Sequence, residues 1–506
     1  MALLTNSIAV DIFALISFVI FVFYLRSIFV SFRYWKRLKI PYLEPSFPFG
    51  NAYEALTFRR PVHLVYQDMY LDIKFGLKLP YAGIYTMTTP VLVLTDPELI
   101  KHILIKDFDV FVDRGLFDTD DSTEPMMKNL FGLKGEEWRK LRNKMSPTFT
   151  SGRIKEMFPL IEGCGQNLVR VLNKESKENK SLTIDVKDYL VRYMTDVIGS
   201  TVFGIEINAV ENPECEFRQV SKVILTPSLR AQISMAMLLL LPKLKKYINI
   251  RFMDQKSTQF FFDLVKQNVN YREEHNIKRN DFINIMMQLK KTDADITEEL
   301  IVAQCFVFFI AGFDTSSSVL SFCLYELANN KTIQNKLRKE IAETKAKYGG
   351  ELLYDSYQEM PLLDKVVKEA LRMYAPLAQL DRKSTRPYTL PGTDITLEAG
   401  TKIFIPLYGI HHDPEIYPRP DIFDPERFAP ENVDSIPHYA YMPFGEGPRN
   451  CIGKRFGQIQ LKSGLSLLIS NFEWDPDHSN ILRYQKGELG LKLVKPLKLK
   501  ITPINQ

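Results

Sequence analysis

Phe444-Gly445-Glu446-Gly447-Pro448-Arg449-Asn450-Cys451-Ile452-Gly453 sets one cysteine in a glycine-rich loop that runs into a helix-compatible stretch, residues 452–468. Near a helix N-terminus the dipole and the unpaired amides favour a negative sulfur, which predicts a lowered thiol pKa. Gly445, Gly447 and Gly453 let the backbone curl beneath a flat ligand and aim N–H groups at the sulfur. Phe444 can cover that sulfur from water, and the fork of Arg449 suits a carboxylate at the ligand's edge. These are the needs of a haem iron held by cysteine. A free cysteine is more often a small buried hydrophobe. Ten residues with Phe, three Gly, Arg and Cys in register outweigh that plain reading.

A second chemical signal is Ala311-Gly312-Phe313-Asp314-Thr315-Ser316, in the middle of an apolar helix expected over residues 295–329. Asp295 and Glu298 read as its capping box. At 1.5 Å per residue it spans about 50 Å, enough to cross a domain. The Thr315 hydroxyl can bond back to the Ala311 carbonyl and loosen the helix, opening a polar notch suited to O2 and a water. Alone, the same residues are equally a kink with a solvated Asp-Thr pair. Glu369 and Arg372 share one face of a helix that ends before Ala375-Pro376, ordinarily a minor surface ion pair. Trp138 and Arg142 are i,i+4 neighbours on a helix starting near Lys134, a spacing any amphipathic helix shows. His411-His412 cannot face one metal from a helix, so a structural or solvent role is expected.

The decapeptide resembles the haem-binding loop of the cytochrome P450 family at every defining position, and the other segments extend that resemblance over nearly the whole chain. It is strongest toward microsomal enzymes of the insect detoxification type, family six, through residues 444–453, residues 311–316 and Asp381-Arg382. The resemblance implies that Cys451 ligates the iron of haem b and that Thr315 and Asp314 relay protons to bound O2. Phe444, Gly453, Ala311 and Thr315 would pack around the haem. Arg114, Trp138, Arg142, Arg382 and Arg449 would hold its propionates. Glu369, Arg372 and Arg427, the last within Pro425-Glu426-Arg427-Phe428, would form the family's structural triad. The implied reaction is monooxygenation of a lipophilic small molecule, a xenobiotic or an endogenous hormone or fatty acid: RH + O2 + NADPH + H+ gives ROH + water + NADP+. Electrons would come through a separate NADPH–cytochrome P450 reductase, because no NADPH-binding fingerprint appears, with cytochrome b5 as a further donor.

The elements that must position these residues read as mainly helical with small β-sheets. Residues 82–95 pattern as a hairpin turning at Thr88-Thr89-Pro90, and Asp96-Pro97 opens a helix. Helical patterns dominate from 136 to 374, and strands return between 381 and 407. Composition is that of a globular protein, 45% hydrophobic and 25% charged over 506 residues, and a net charge of +5 is too mild to argue for nucleic acid. Five cysteines without a CxxC pair exclude a zinc cluster or disulfide framework. Residues 8–25 are apolar enough to cross a bilayer, and Arg26, Arg33, Lys36, Arg37 and Lys39 follow them. The positive-inside rule then leaves the body cytosolic, and the resemblance to microsomal enzymes implies an endoplasmic reticulum membrane. The organisation read is an anchor at 1–30, a proline-rich hinge at 31–50 and one catalytic domain at 51–506. Residues 234–242 read as a membrane-dipping loop backed by lysines.

The substrate pocket is expected to draw on residues 107–131, 203–241, 305–309, 376–380 and 489–491. Lys454, Arg455 and Lys462, with Arg139, Lys140 and Lys144, form either a solvated face or a docking patch for an acidic electron donor. Two other classes fit a cysteine-bound haem: an isomerase or dehydratase acting on peroxides without a reductase, and a non-enzymatic gas carrier or sensor. Asp314-Thr315 weighs against the first, and no sensory or output domain is visible for the second.

Overall fold

The hairpin forms as β1 (Tyr81–Thr86) and β2 (Thr89–Leu94), paired antiparallel with Ile84 opposite Val91. Its turn lies one residue earlier than expected, at Met87-Thr88, where Met87 adopts a left-handed φ of 53°. Pro90 is instead a strand residue, and the next strand pairs with β2 only from Val91 to Val93, so no ladder bond is asked of the proline. Asp96 caps the following helix by accepting from the Glu98 amide. The computed structural model describes residues 28–115, 125–177, 181–225, 254–488 and 490–504, with positions 14, 18, 22, 25 and 26. Of residues 1–30, read as an anchor, only those scattered positions and residues 28–30 are described, all helical, and the 234–242 segment lies outside the described residues.

Helices make the body. In chain order the longer ones, each of eleven residues or more, are α1 (Gly135–Met145), α2 (Ser151–Lys177), α3 (Val186–Ile198), α4 (Gln255–Glu274), α5 (Phe282–Thr292), α6 (Glu298–Asn329), α7 (Lys331–Lys347), α8 (Pro361–Met373) and α9 (Lys454–Asn471). Three small sheets complete it, one of them only the two-stranded pairing of residues 388–389 with 396–397. β3 (Leu182–Asp185) pairs with the C-terminal β7 (Lys498–Pro503), which pairs with β6 (Phe472–Pro476). β4 (Leu380–Lys383) and β5 (Lys402–Ile405) extend the first hairpin into a sheet ordered β1-β2-β5-β4. The architecture is therefore the mainly helical one with small sheets that the pattern implied.

α6 is the spine. It is mostly buried, and α3, α4 and α9 pack along it. It begins at Glu298, not 295: Thr297 is the N-cap and its hydroxyl accepts from the Leu300 amide at 3.2 Å. Asp295 instead pairs with Lys144 at 3.1 Å, so the capping box read from Asp295 and Glu298 does not form. α3 crosses α6 at Gly312, where a Cβ would stand 2.5 Å from Ile198 Cδ1. A side chain there would make Ile198 shift.

The Glu369–Arg372 pair is fully buried rather than superficial. Arg372 donates to both Glu369 oxygens, at 2.7 and 2.8 Å, and Arg427 donates to Glu369 at 3.3 Å. Arg372 also donates to the carbonyls of His411 and Pro420, at 2.7 and 2.8 Å. With every polar group matched, such a buried network specifies one arrangement of the segments it joins. His411 continues it: Nδ1 donates to the Arg372 carbonyl at 3.1 Å, and Nε2 accepts from the Met442 amide at 3.1 Å. Burial, then the neighbouring His412 and Arg372, push its pKa down to about 3, so it is neutral and structural, with no solvent role. Met442 lies two residues before Phe444.

Candidate haem site

The cysteine loop is closed by its own backbone. The Cys451 amide donates to the Phe444 carbonyl at 2.8 Å, and the Asn450 amide donates to the Gly447 carbonyl at 3.0 Å. Gly447 has φ +75°, and a Cβ there would fall 1.9 Å from the Leu104 carbonyl oxygen. α9 begins at Lys454 behind Gly453, so the sulfur precedes the helix by three residues. Cys451 is exposed, and it lines a cavity. Burial pushes the thiol pKa up, against the lowering expected from sequence. The Gly453 amide, Arg142, Arg114 and Lys454 pull the other way and do not overcome it. A cation bonded directly to the sulfur would favour its ionised form against that effect.

That cavity separates the loop from the notch of α6. Its free space, counted out to the open mouth, is about 1100 Å³. Ala311, Gly312, Thr315 and Ser316 form one wall; Phe444, Cys451, Gly453, Phe456 and Gly457 form the other. The Thr315 hydroxyl donates to the Ala311 carbonyl at 2.5 Å, as expected. Its neighbour Asp314 is not on the cavity wall. Asp314 faces α3, where Lys187 donates to its carboxylate at 2.9 Å.

Cations gather at the cavity's edge. The Asp113 carbonyl accepts from the Lys383 amide, and its carboxylate caps the Gly135 amide, both at 2.8 Å, which sets Arg114 between β4 and α1. Arg114 lies over the Phe131 ring at 4.2 Å and donates to the Arg449 carbonyl at 3.4 Å. Arg449 lies over Trp138 at 4.4 Å and donates to the Phe131 and Leu133 carbonyls. Burial and mutual repulsion with Arg114 push Arg382 and Arg449 down to about 9, with Asp381 pulling both back and Asp113 adding to that pull on Arg449. The Nε–H groups of Arg114, Arg382 and Arg449 are buried without a partner. A flat ligand carrying two carboxylates fits this excess of charge and donors, and haem is such a ligand. Arg114, Trp138, Arg142 and Arg449 line the cavity, whereas Arg382 stands behind Arg114 and does not. Arg142 is engaged with the loop itself, donating to the Asn450 carbonyl at 3.0 Å and its side-chain oxygen at 2.8 Å.

The pocket expectation is corrected in part. Leu130, Phe131, Val307 and Phe308 line the cavity, but the described residues of 203–225, 376–380 and 490–491 do not. Phe203 is instead spent in a core stack, 5.4 Å from Phe217, which lies 4.9 Å from Phe309. Sequence reasoning missed a lobe formed by Phe149, Met157, Ile198, Thr201, Val202 and Phe282, because those residues read as ordinary core. It also missed Lys187 and the Ser316–Gln460 hydrogen bond of 3.2 Å. Of the six cations read as a docking patch, Lys462 pairs with Asp364, Lys144 with Asp293 and Asp295, and Arg139 with Asp109 and Glu136. Among the described residues Lys140, Lys454 and Arg455 form no ion pair.

A family model described as cytochrome P450 matches residues 49–502. Among curated proteins, the chain is similar to probable cytochrome P450 6a14 of Drosophila melanogaster, 42% identical over 459 residues, covering 88% of this chain and 89% of that one. It is 38% identical to cytochrome P450 6a2 of the same fly over 456 residues, 87% and 89% of the two chains. Cytochrome P450 6k1 of Blattella germanica is 38% identical over 469 residues, 88% of each.

Proposed function

Because the chain belongs to the cytochrome P450 family, a haem-thiolate monooxygenase using O2 and NADPH-derived electrons, we propose that Cys451 is its iron ligand and that the cavity between Cys451 and Thr315 is where oxygen is inserted. When bound, the haem supplies the activation of O2 and its insertion into an unreactive C–H bond. The chain's own residues do the rest. Arg114 and Arg449 bind the carboxylate edge, with Arg382 reinforcing the charge from behind, and Trp138 braces Arg449. Phe444 shields the sulfur from water, and Gly453 leaves room for it, with its amide directed at Sγ. Ala311 keeps the opposite wall low over the ligand's face. Thr315, its proton given to the Ala311 carbonyl, presents oxygen lone pairs to the cavity and holds a water there; Asp314 renews the proton.

The apolar walls at Leu130, Phe131, Val307 and Phe308 suit lipophilic substrates, xenobiotic or endogenous. A flavin reductase docks at the face around Lys140, Lys454 and Arg455, with cytochrome b5 as an auxiliary donor. Residues 8–25 anchor the protein in the endoplasmic reticulum membrane with the body in the cytosol. The acid–alcohol pair speaks for monooxygenation over reductase-free isomerisation of peroxides.

The observation that carries the assignment is a cysteine on the wall of a cavity that Arg114 and Arg449 also line, each with a buried Nε–H group without a partner. The test is the carbon monoxide difference spectrum of the reduced protein, with NADPH- and reductase-dependent dealkylation of 7-ethoxycoumarin. A thiolate-type spectrum that Cys451→Ala abolishes is expected; an imidazole-type spectrum, or full turnover by that variant, overturns the assignment.

A further inference from the structure

Lys187 stands in the first turn of α3, where a cation opposes the helix dipole. Something other than its own helix must favour it there. Its ammonium donates to four oxygens of α6: the Asp314 carboxylate and carbonyl, each at 2.9 Å, Ser317 Oγ at 2.8 Å and Ser318 Oγ at 2.6 Å. With three hydrogens to share, it is saturated. Both serine hydroxyls donate in turn to the Asp314 carbonyl, at 3.1 and 2.8 Å. The carbonyl is thus held from three sides, in the residue just before Thr315. An ordinary exposed ion pair is worth about 1 kcal/mol or less and fixes nothing. This one grips backbone and carboxylate together.

The carboxylate is also outside the cavity, while the adjacent Thr315 hydroxyl is inside it. The Lys187 and Asp314 side chains keep 31% and 43% of their surface exposed, so solvent reaches the pair. Asp185 and Lys492 are the other charges near the ammonium. Resting on the proton-donor reading of Asp314 and Thr315, we propose that Lys187 is the positioning residue for that donor, fixing the Asp314 carboxylate at a solvent-reached port on the far side of α6 from the cavity. The carboxylate takes one proton from outside water and gives one up for relay by water to the Thr315 side of α6. Asp314 ends ionised again, and no electron changes hands.

The experiment uses the full-length holoenzyme with reductase, NADPH and 7-ethoxycoumarin, and reads product and peroxide formed per NADPH oxidised. Lys187→Met is expected to keep the carbon monoxide spectrum but lower product per NADPH by roughly threefold or more, with peroxide making up the difference. Lys187→Arg, which can still reach carboxylate and carbonyl, restores coupling. In an Asp314→Asn background Lys187→Met should add nothing, since its effect passes through the acid. Should Lys187→Met not load haem, Lys187→Gln, which keeps one donor, is compared with Lys187→Arg by the same ratio. Wild-type coupling in the uncharged variants, or a loss that persists undiminished beside Asp314→Asn, overturns the positioning role. If Asp314→Asn alone leaves coupling unchanged, it is the proton-donor reading beneath it that fails.

Discussion

Arg142 and Asn450 are joined twice, guanidinium to backbone carbonyl at 3.0 Å and to side-chain oxygen at 2.8 Å, across the 308 residues that separate them in sequence. Asn450 immediately precedes the cysteine, so α1 grips the loop at its most sensitive point. Hydrogen bonds to a charged group contribute about 1.5–3 kcal/mol each. Arg142→Ala should therefore lower the melting temperature of the holoenzyme and speed the decay of its thiolate-type carbon monoxide spectrum. Arg142→Lys, with a point charge in place of a fork, should recover only part of that loss.

Gly447→Ala should be far more damaging. It combines a left-handed φ of +75° with a Cβ 1.9 Å from the Leu104 carbonyl, so the loop has to move. A cost of more than about 2 kcal/mol and loss of haem are expected. Gly163→Ala, in a helix with nothing within 4 Å of the new Cβ, should hold or raise stability by up to about 1 kcal/mol. Haem content on purification and thermal melts separate the two.

Thr315→Ala removes the hydroxyl that lines the notch and spares every residue of the cysteine loop. Haem binding should persist while NADPH consumption is diverted into hydrogen peroxide, about tenfold less product appearing per NADPH, a smaller factor than the roughly 10²–10⁴-fold in rate that a general acid–base group contributes. Unchanged coupling in a product-and-peroxide assay would remove Thr315 from proton delivery.

Acid should destabilise the fold through its buried histidines. His63, between Tyr408 and Tyr484 with neither nitrogen bonded, has its pKa lowered by burial from 6.5 to about 4. Its folded pKa lies below its unfolded one, so the unfolded chain binds the extra proton between these values. The stability it contributes is complete above pH 6.5 and is lost as pH falls toward 4. His63→Phe should flatten the fall of unfolding free energy over that window by about one proton's slope, roughly 1.4 kcal/mol per pH unit. Denaturant titrations at several pH values measure it.

Much of this was legible in advance because its signals are local. The cysteine loop, the Ala311–Thr315 back-bond and the Asp96 cap each depend on residues within a few positions of one another. Glu369, Arg372 and Arg427 were read correctly as a group, but not the burial that makes them a network, since burial is decided by what packs over α8. Lys187 was illegible for the same reason: its partners belong to α6, more than a hundred residues later. A lysine in a helix's first turn was the one available hint. Asp295 shows the reverse error, a plausible cap on sequence grounds that tertiary pairing with Lys144 outbid. The Cys451 pKa was misjudged because the helix dipole was counted and desolvation was not.

The chain of contacts from Glu369 through Arg372 and His411 to the Met442 amide has a temporal meaning. Three stretches of polypeptide must dock before that amide finds its acceptor, and only then is the sulfur presented in its final pose. Acquisition of the prosthetic group thus certifies that the surrounding body has already assembled, and a half-made molecule offers no competent grip for it.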